Sequence, residues 1–177
     1  MKRLAAVTVL LFAACNNGAP ATTPPRGMAR DSADLWAERG AVMPDSVVRR
    51  LTAQCSRPTP DSAAIQGLWT PTAEQVRDLE ARLTPLLRSE LTRQYGGKSL
   101  ATRLAWYHRQ YGGLVLNGRR IIYVNGFLPG WRYDRGADTV PWRQFPVWVC
   151  DGGIGYFGVE YDPATKRFRN LAFNGVA

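Results

Sequence analysis

Residues 107–127 read "YHRQYGGLVLNGRRIIYVNGF", and the pair Asn117-Gly118 at their centre decides how the rest of the chain is assembled. Asn-Gly between two apolar runs is the strongest short-range signal for a β-hairpin closed by a two-residue turn. Such a turn leaves one register. It sets Leu116 opposite Arg119, Leu114 opposite Ile121, Gly112 opposite Tyr123, Gln110 opposite Asn125 and His108 opposite Phe127. Side chains alternate along a strand, so the other face carries Tyr111, Val115, Ile122 and Val124. That face is the cleaner surface to pack against an apolar helix.

The helix is upstream. In "TPTAEQVRDLEARLTPLLRSELTRQ", Val76, Leu79, Leu83, Leu86, Leu87 and Leu91 recur at three- and four-residue spacing, which predicts an amphipathic helix. Thr70 is its expected N-cap, with Pro71 at the first position, and Gly96-Gly97 its stop. Pro85 removes a donor inside the pattern and predicts a kink. A shorter helix is expected in "PDSVVRRLTAQC", with Pro44 in its first turn and Val47, Val48, Leu51 and Cys55 on one stripe.

Downstream of the hairpin, residues 128–145 read as a long loop, "PVWVCDG" as a third strand, and "YFGVEYDPATKRFRNLAFNG" as a second hairpin turning at Asp162-Pro163-Ala164-Thr165. The expected fold class is α+β, with N-terminal helices packed on one face of a four-stranded antiparallel β-meander. Residues 31–177 form one domain, helical over 31–98 and sheet over 104–175. The element order over about residues 70–175 resembles cystatin-like and NTF2-like domains, and "YVNGF" with "VCDGGIGYFGVEYD" resembles uncharacterised bacterial lipoproteins. Neither resemblance implies a chemistry.

The chain opens with a short basic start, Met1-Lys2-Arg3, and an apolar run, "LAAVTVLLFAA", the pattern of a secretory signal peptide over residues 1–14. A membrane span needs roughly 20 such residues. The run ends in Leu11-Phe12-Ala13-Ala14-Cys15, which resembles the lipobox of bacterial lipoproteins, with Phe12 where that motif usually has Leu. The resemblance implies lipidation of Cys15, a membrane anchor, and, with Asn16 next, delivery to the outer membrane facing the periplasm. The rival reading is plain cleavage after Ala19-Pro20-Ala21; export follows from both. Residues 15–30, polar and bearing Pro and Gly, read as a flexible tether.

Loss of Lys2 and Arg3 with the leader leaves 21 basic residues against 14 acidic ones, a net +7 carried almost entirely by arginine. Export takes nucleic acid out of reach. The expected partners are the membrane, through the N-terminal lipid, and an anionic envelope polymer, a glycan or a protein. Lipidation would leave Cys55 and Cys150 in an oxidising compartment, where one disulfide is the simple reading and two buried thiols the other.

Several motifs dissolve on inspection. Gly153-Ile154-Gly155-Tyr156-Phe157-Gly158 matches G-x-G-x-x-G, but the residues after it are strand-forming and only 19 remain, too few for a βαβ unit. Gly97-Lys98-Ser99 resembles the tail of a phosphate-binding loop, yet Thr92 stands where its first glycine belongs. One histidine and two cysteines expected to pair leave only carboxylates for a metal, such as Asp134 and Asp138; no metal and no cofactor is expected. A hydrolytic enzyme would use His108 with Asp151 or Glu160. A non-enzymatic binding module is the leading reading. Its candidate surface is the aromatic, arginine-bearing loop with the adjoining sheet face: His108, Gln110, Tyr123, Asn125, Trp131, Arg132, Tyr133, Trp142 and Asp151.

Overall fold

The computed structural model describes residues 32–95, 102–129 and 141–176. The expected leader, Cys15, the tether, the Gly96-Gly97 stop, and Trp131, Arg132, Tyr133, Asp134 and Asp138 lie outside the described residues. The elements run α1 (Ser32–Arg39), β1 (Gly40–Val42), α2 (Asp45–Leu51), β2 (Ile65–Trp69), α3 (Ala73–Tyr95), β3 (His108–Leu116), β4 (Arg119–Phe127), β5 (Tyr156–Asp162) and β6 (Arg167–Phe173). The fold is α+β around one six-stranded sheet.

The Asn117-Gly118 hairpin forms in the expected register, from Leu116 opposite Arg119 through His108 opposite Phe127. Asn117 and Gly118 both take positive φ, 50° and 72°, as a two-residue turn requires. Antiparallel neighbours β3-β4-β5-β6 continue from it, and the second hairpin turns after Asp162.

Several expectations need correction. The sheet is not a four-stranded meander. β1 adds to β3 in parallel and β2 adds to it antiparallel, with an irregularity between Ile65 and Gly67. The expected strand over 146–152 does not form, and β5 takes its place beside β4. Its backbone is instead engaged by side chains: Val147 N–H donates to Gln110 Oε1 at 2.9 Å, and Val147 C=O accepts from Asn125 Nδ2 at 2.9 Å. Nor do the helices share one face. α3 packs Val76, Leu79, Leu83, Leu87 and Leu91 against Tyr111, Ile122, Val124, Phe157, Val159 and Tyr161. α2 packs Val47, Val48 and Leu51 against Leu114 and Tyr123 on the opposite face.

α3 begins later than expected. Thr72, not Thr70, caps it: Gln75 N–H donates to Thr72 Oγ1 at 3.3 Å and Thr72 N–H to Gln75 Oε1 at 2.9 Å, a reciprocal capping box. The helix runs on through Pro85, whose side is exposed, so water can satisfy the carbonyl left without a donor.

A buried ion pair joins α3 to the sheet. Glu80 Oε1 lies 3.3 Å from Arg109 Nε and accepts from Tyr111 Oη at 2.9 Å. The remaining Arg109 nitrogens donate to the carbonyls of Tyr107 and Leu104 at 3.0 and 3.1 Å. Among the described residues no helix is long and apolar enough to cross a membrane.

Candidate functional site

The hairpin register places His108, Gln110, Tyr123 and Asn125 on the sheet face away from α3, and residues 141–151 fold over them. The structure thus gathers Gln110, Tyr123 and Asn125 of the expected side chains, but in a joint where they are closed off from solvent. Gln110, Tyr123 and Asn125 are each no more than 1 % exposed. Gln110 uses its whole amide, donating to the carbonyls of Trp142 and Phe145 at 2.5 and 2.7 Å and accepting from Asn125 Nδ2 at 2.8 Å and Val147 N–H at 2.9 Å.

The centre of the joint is a residue that the sequence reading passed over. Arg57 is buried and reaches Asn125 Oδ1 at 2.5 Å, Asn174 Oδ1, and Tyr123 Oη at 3.3 Å. Asn174 in turn donates to the carbonyls of Val149 and Asp151 at 2.7 and 3.0 Å. Cys55 and Cys150 lie at disulfide distance, 2.07 Å between sulfurs, and clamp the same two segments. Burial raises the Tyr123 hydroxyl above its ordinary value, against the pull of the Arg57 cation.

The structure does not bring His108 to Glu160. His108 stacks on Trp142 with ring centroids 4.6 Å apart and meets Phe127 edge-on at 5.5 Å. Phe127 pairs with Tyr156, and Glu160 is four residues further along β5, roughly 13 Å away at the strand rise. Asp151 contributes its carbonyl to Asn174. Among the described residues no group of three or more His, Cys, Asp or Glu side chains is placed to hold a metal ion.

Among the described residues this face also opens at its other end. A groove of about 440 Å³ runs between residues 59–64 and the sheet, lined by Thr59, Asp61, Asn117, Arg119, Glu160, Arg169 and Asn170 among others. Its charges have a definite order. Arg119 ion-pairs with the buried Asp162, and Arg169 Nη2 lies 3.8 Å from the same carboxylate. Both arginine side chains remain about half exposed, at 48 and 50 %. Burial pushes the Asp162 carboxyl up, but the amides of Thr165 and Ala164 and the Arg119 guanidinium more than offset this and hold it below its ordinary value. Glu160 Oε1 accepts from Asn170 Nδ2 at 2.8 Å, and Asp61 Oδ1 from Ala63 N–H at 2.9 Å.

Two guanidinium groups thus share one buried carboxylate, beside amides and acids that can exchange hydrogen bonds with a polar ligand. The signal was present in the sequence. Arg119 and Glu160 fall on the Tyr123 face by simple alternation; what was missing was the segment 59–64 that makes a groove of them. Comparison with family models, with curated proteins and with solved structures finds no match to the chain, so the reading of the site rests on its own geometry.

Proposed function

We propose that the protein is an exported, lipid-anchored binding module of the cell envelope, held through Cys15, whose groove at the hairpin end takes an anionic glycan. The groove carries this reading. Its volume, about 440 Å³, is within the range of small-molecule sites, and its two half-exposed guanidinium groups suit carboxylates as bidentate donors. Asn117, Asn170 and Glu160 supply the mixed donors and acceptors that sugar hydroxyls need. A net positive mature chain favours an anionic partner over the bulk of solution. The separation of His108 from Glu160 and the closed joint around Gln110 favour binding over hydrolysis.

Calorimetric titration of the full chain in detergent with oligogalacturonate tests the reading. Arg119→Ala with Arg169→Ala should weaken binding about a hundredfold or more, since each charge-assisted bond contributes about 1.5–3 kcal/mol. Trp148→Ala, outside the groove, should leave affinity unchanged. Absence of binding by the wild-type chain, or binding indifferent to both arginines, would sink it.

A further inference from the structure

The two ends of the sheet differ in kind. One end is where β1 and β3 begin, β4 ends, β5 begins and β6 ends. The exposed large hydrophobic residues among those described are Trp106, Phe145, Trp148 and Val176, and all four lie at or near this end. Trp106 directly precedes Tyr107 and the start of β3. The carbonyl of Phe145 accepts from Gln110, one position after Arg109, which pairs with the first residue of β1. Val147 is bonded to Gln110 and Asn125, which brings Trp148 over the same rows. Val176 follows Gly175, whose carbonyl accepts from Gly153 just before β5.

The opposite end carries the two hairpin turns, the groove, and Arg119, Arg120, Lys166, Arg167 and Arg169. The large exposed apolar groups and the charged turns are therefore segregated along the strands. Single exposed apolar residues need no explanation, but four of them, three aromatic, collected at one end of a strongly basic chain do.

The chain enters at the aromatic end. α1 leads directly into β1, and its last turn is tied there twice: Arg39 donates to the carbonyl of Ala105, beside Trp106, and Arg143 donates to the carbonyls of Gly40 and Glu38 at 2.8 and 2.5 Å. Ser32 begins α1, so it lies within about 11 Å of this end at the helical rise per residue. Only sixteen residues separate Ser32 from Cys15, a reach of at most about 60 Å fully drawn out.

We propose that this aromatic end is a membrane-docking surface that seats on the bilayer holding the anchor, with the arginine-bearing groove directed away from it. The inference rests on the reading of Cys15 as lipidated. Trp and Phe side chains partition to the interface of a bilayer. A short connection to the anchor holds them at high effective concentration, so a weak contact becomes populated. The backbone of the aromatic segment is pinned by Gln110, Asn125 and the cysteine clamp, so docking orders little that is not already ordered.

The test uses the lipidated full chain in phosphatidylethanolamine–phosphatidylglycerol vesicles. Nitroxide labels are placed on Gln144→Cys at the aromatic end and Thr165→Cys at the second turn, both exposed positions. Collisions with lipid-soluble oxygen should dominate at position 144, and collisions with a water-soluble nickel chelate at 165. Phe145→Ala with Trp148→Ala should return position 144 to the aqueous value while the protein still pellets with the vesicles. Equal aqueous exposure of both labels in pelleted protein overturns the docking surface, whether the aromatics are idle or meet a protein instead. Failure to pellet is a different result: it removes the Cys15 anchor, and the docking inference with it. Cys15→Ala, which should remain in the supernatant, separates the two.

Discussion

At the scale of single residues, Arg57 ties the sheet face away from α3 to the segments that close it. Its guanidinium satisfies Asn125 and Asn174 together, and these hold the strandless segment 141–151 in place. Gly158 makes room for it: a Cβ there would meet Arg57 Nε at 2.6 Å and Tyr123 Oη at 2.4 Å. Arg57→Ala should therefore cost about 3 kcal/mol, because it leaves two buried amide oxygens without donors. Chemical denaturation of the variant measures this. A loss within experimental error would mean that the joint closes without it. None of this was legible beforehand, since an arginine in "CSRPTPDS" looks like any solvated loop cation. Gly158, by contrast, was readable as a site of close approach.

At the scale of elements, the hairpin was legible because one turn type fixes every pairing after it. The same register carries a second signal. It puts Arg109 on the same face as Tyr111 and Val115, inside the core, where a charge needs a partner. Glu80 lies four residues after Val76 and one after Leu79, on the buried stripe of α3, and supplies that partner. Glu80→Ala should destabilise by about 3–5 kcal/mol by leaving Arg109 buried without its counter-charge.

The same carboxyl should mark the pH profile. Burial pushes Glu80 above its ordinary value near 4.5, against the pull of Arg109 and Tyr111. The folded state then keeps a proton that the unfolded chain releases. Its contribution to stability is full below the unfolded value and falls as pH rises through the raised folded one. Denaturant titrations at a series of pH values should show that decline in the wild type and lose it in Glu80→Ala; a decline persisting in the variant belongs to another group.

Other elements were not legible for physical reasons. β1 has three residues and β2 five, with Gly67 beside a register shift, too little alternation for either to stand out. Residues 146–150 do have the apolar character of a strand. Their hydrogen bonds go to the amides of Gln110, Asn125 and Asn174 instead of to a ladder, and sequence periodicity does not reveal that choice.

At the scale of the whole molecule, the strands act as spacers between two unlike ends. Aromatic side chains and the chain's entry occupy one, guanidinium groups and a groove the other. Neither end was visible as a unit in the sequence, because each is assembled from residues more than fifty positions apart; the groove joins Asp61 to Arg169 and Asn170. The most direct check on binding at the hairpin end is an amide chemical-shift map of the isotopically labelled chain titrated with oligogalacturonate. Shifts confined to residues 59–64, 116–121, 160 and 169–170 are the predicted result. Shifts centred on residues 141–151, with the groove silent, would contradict it.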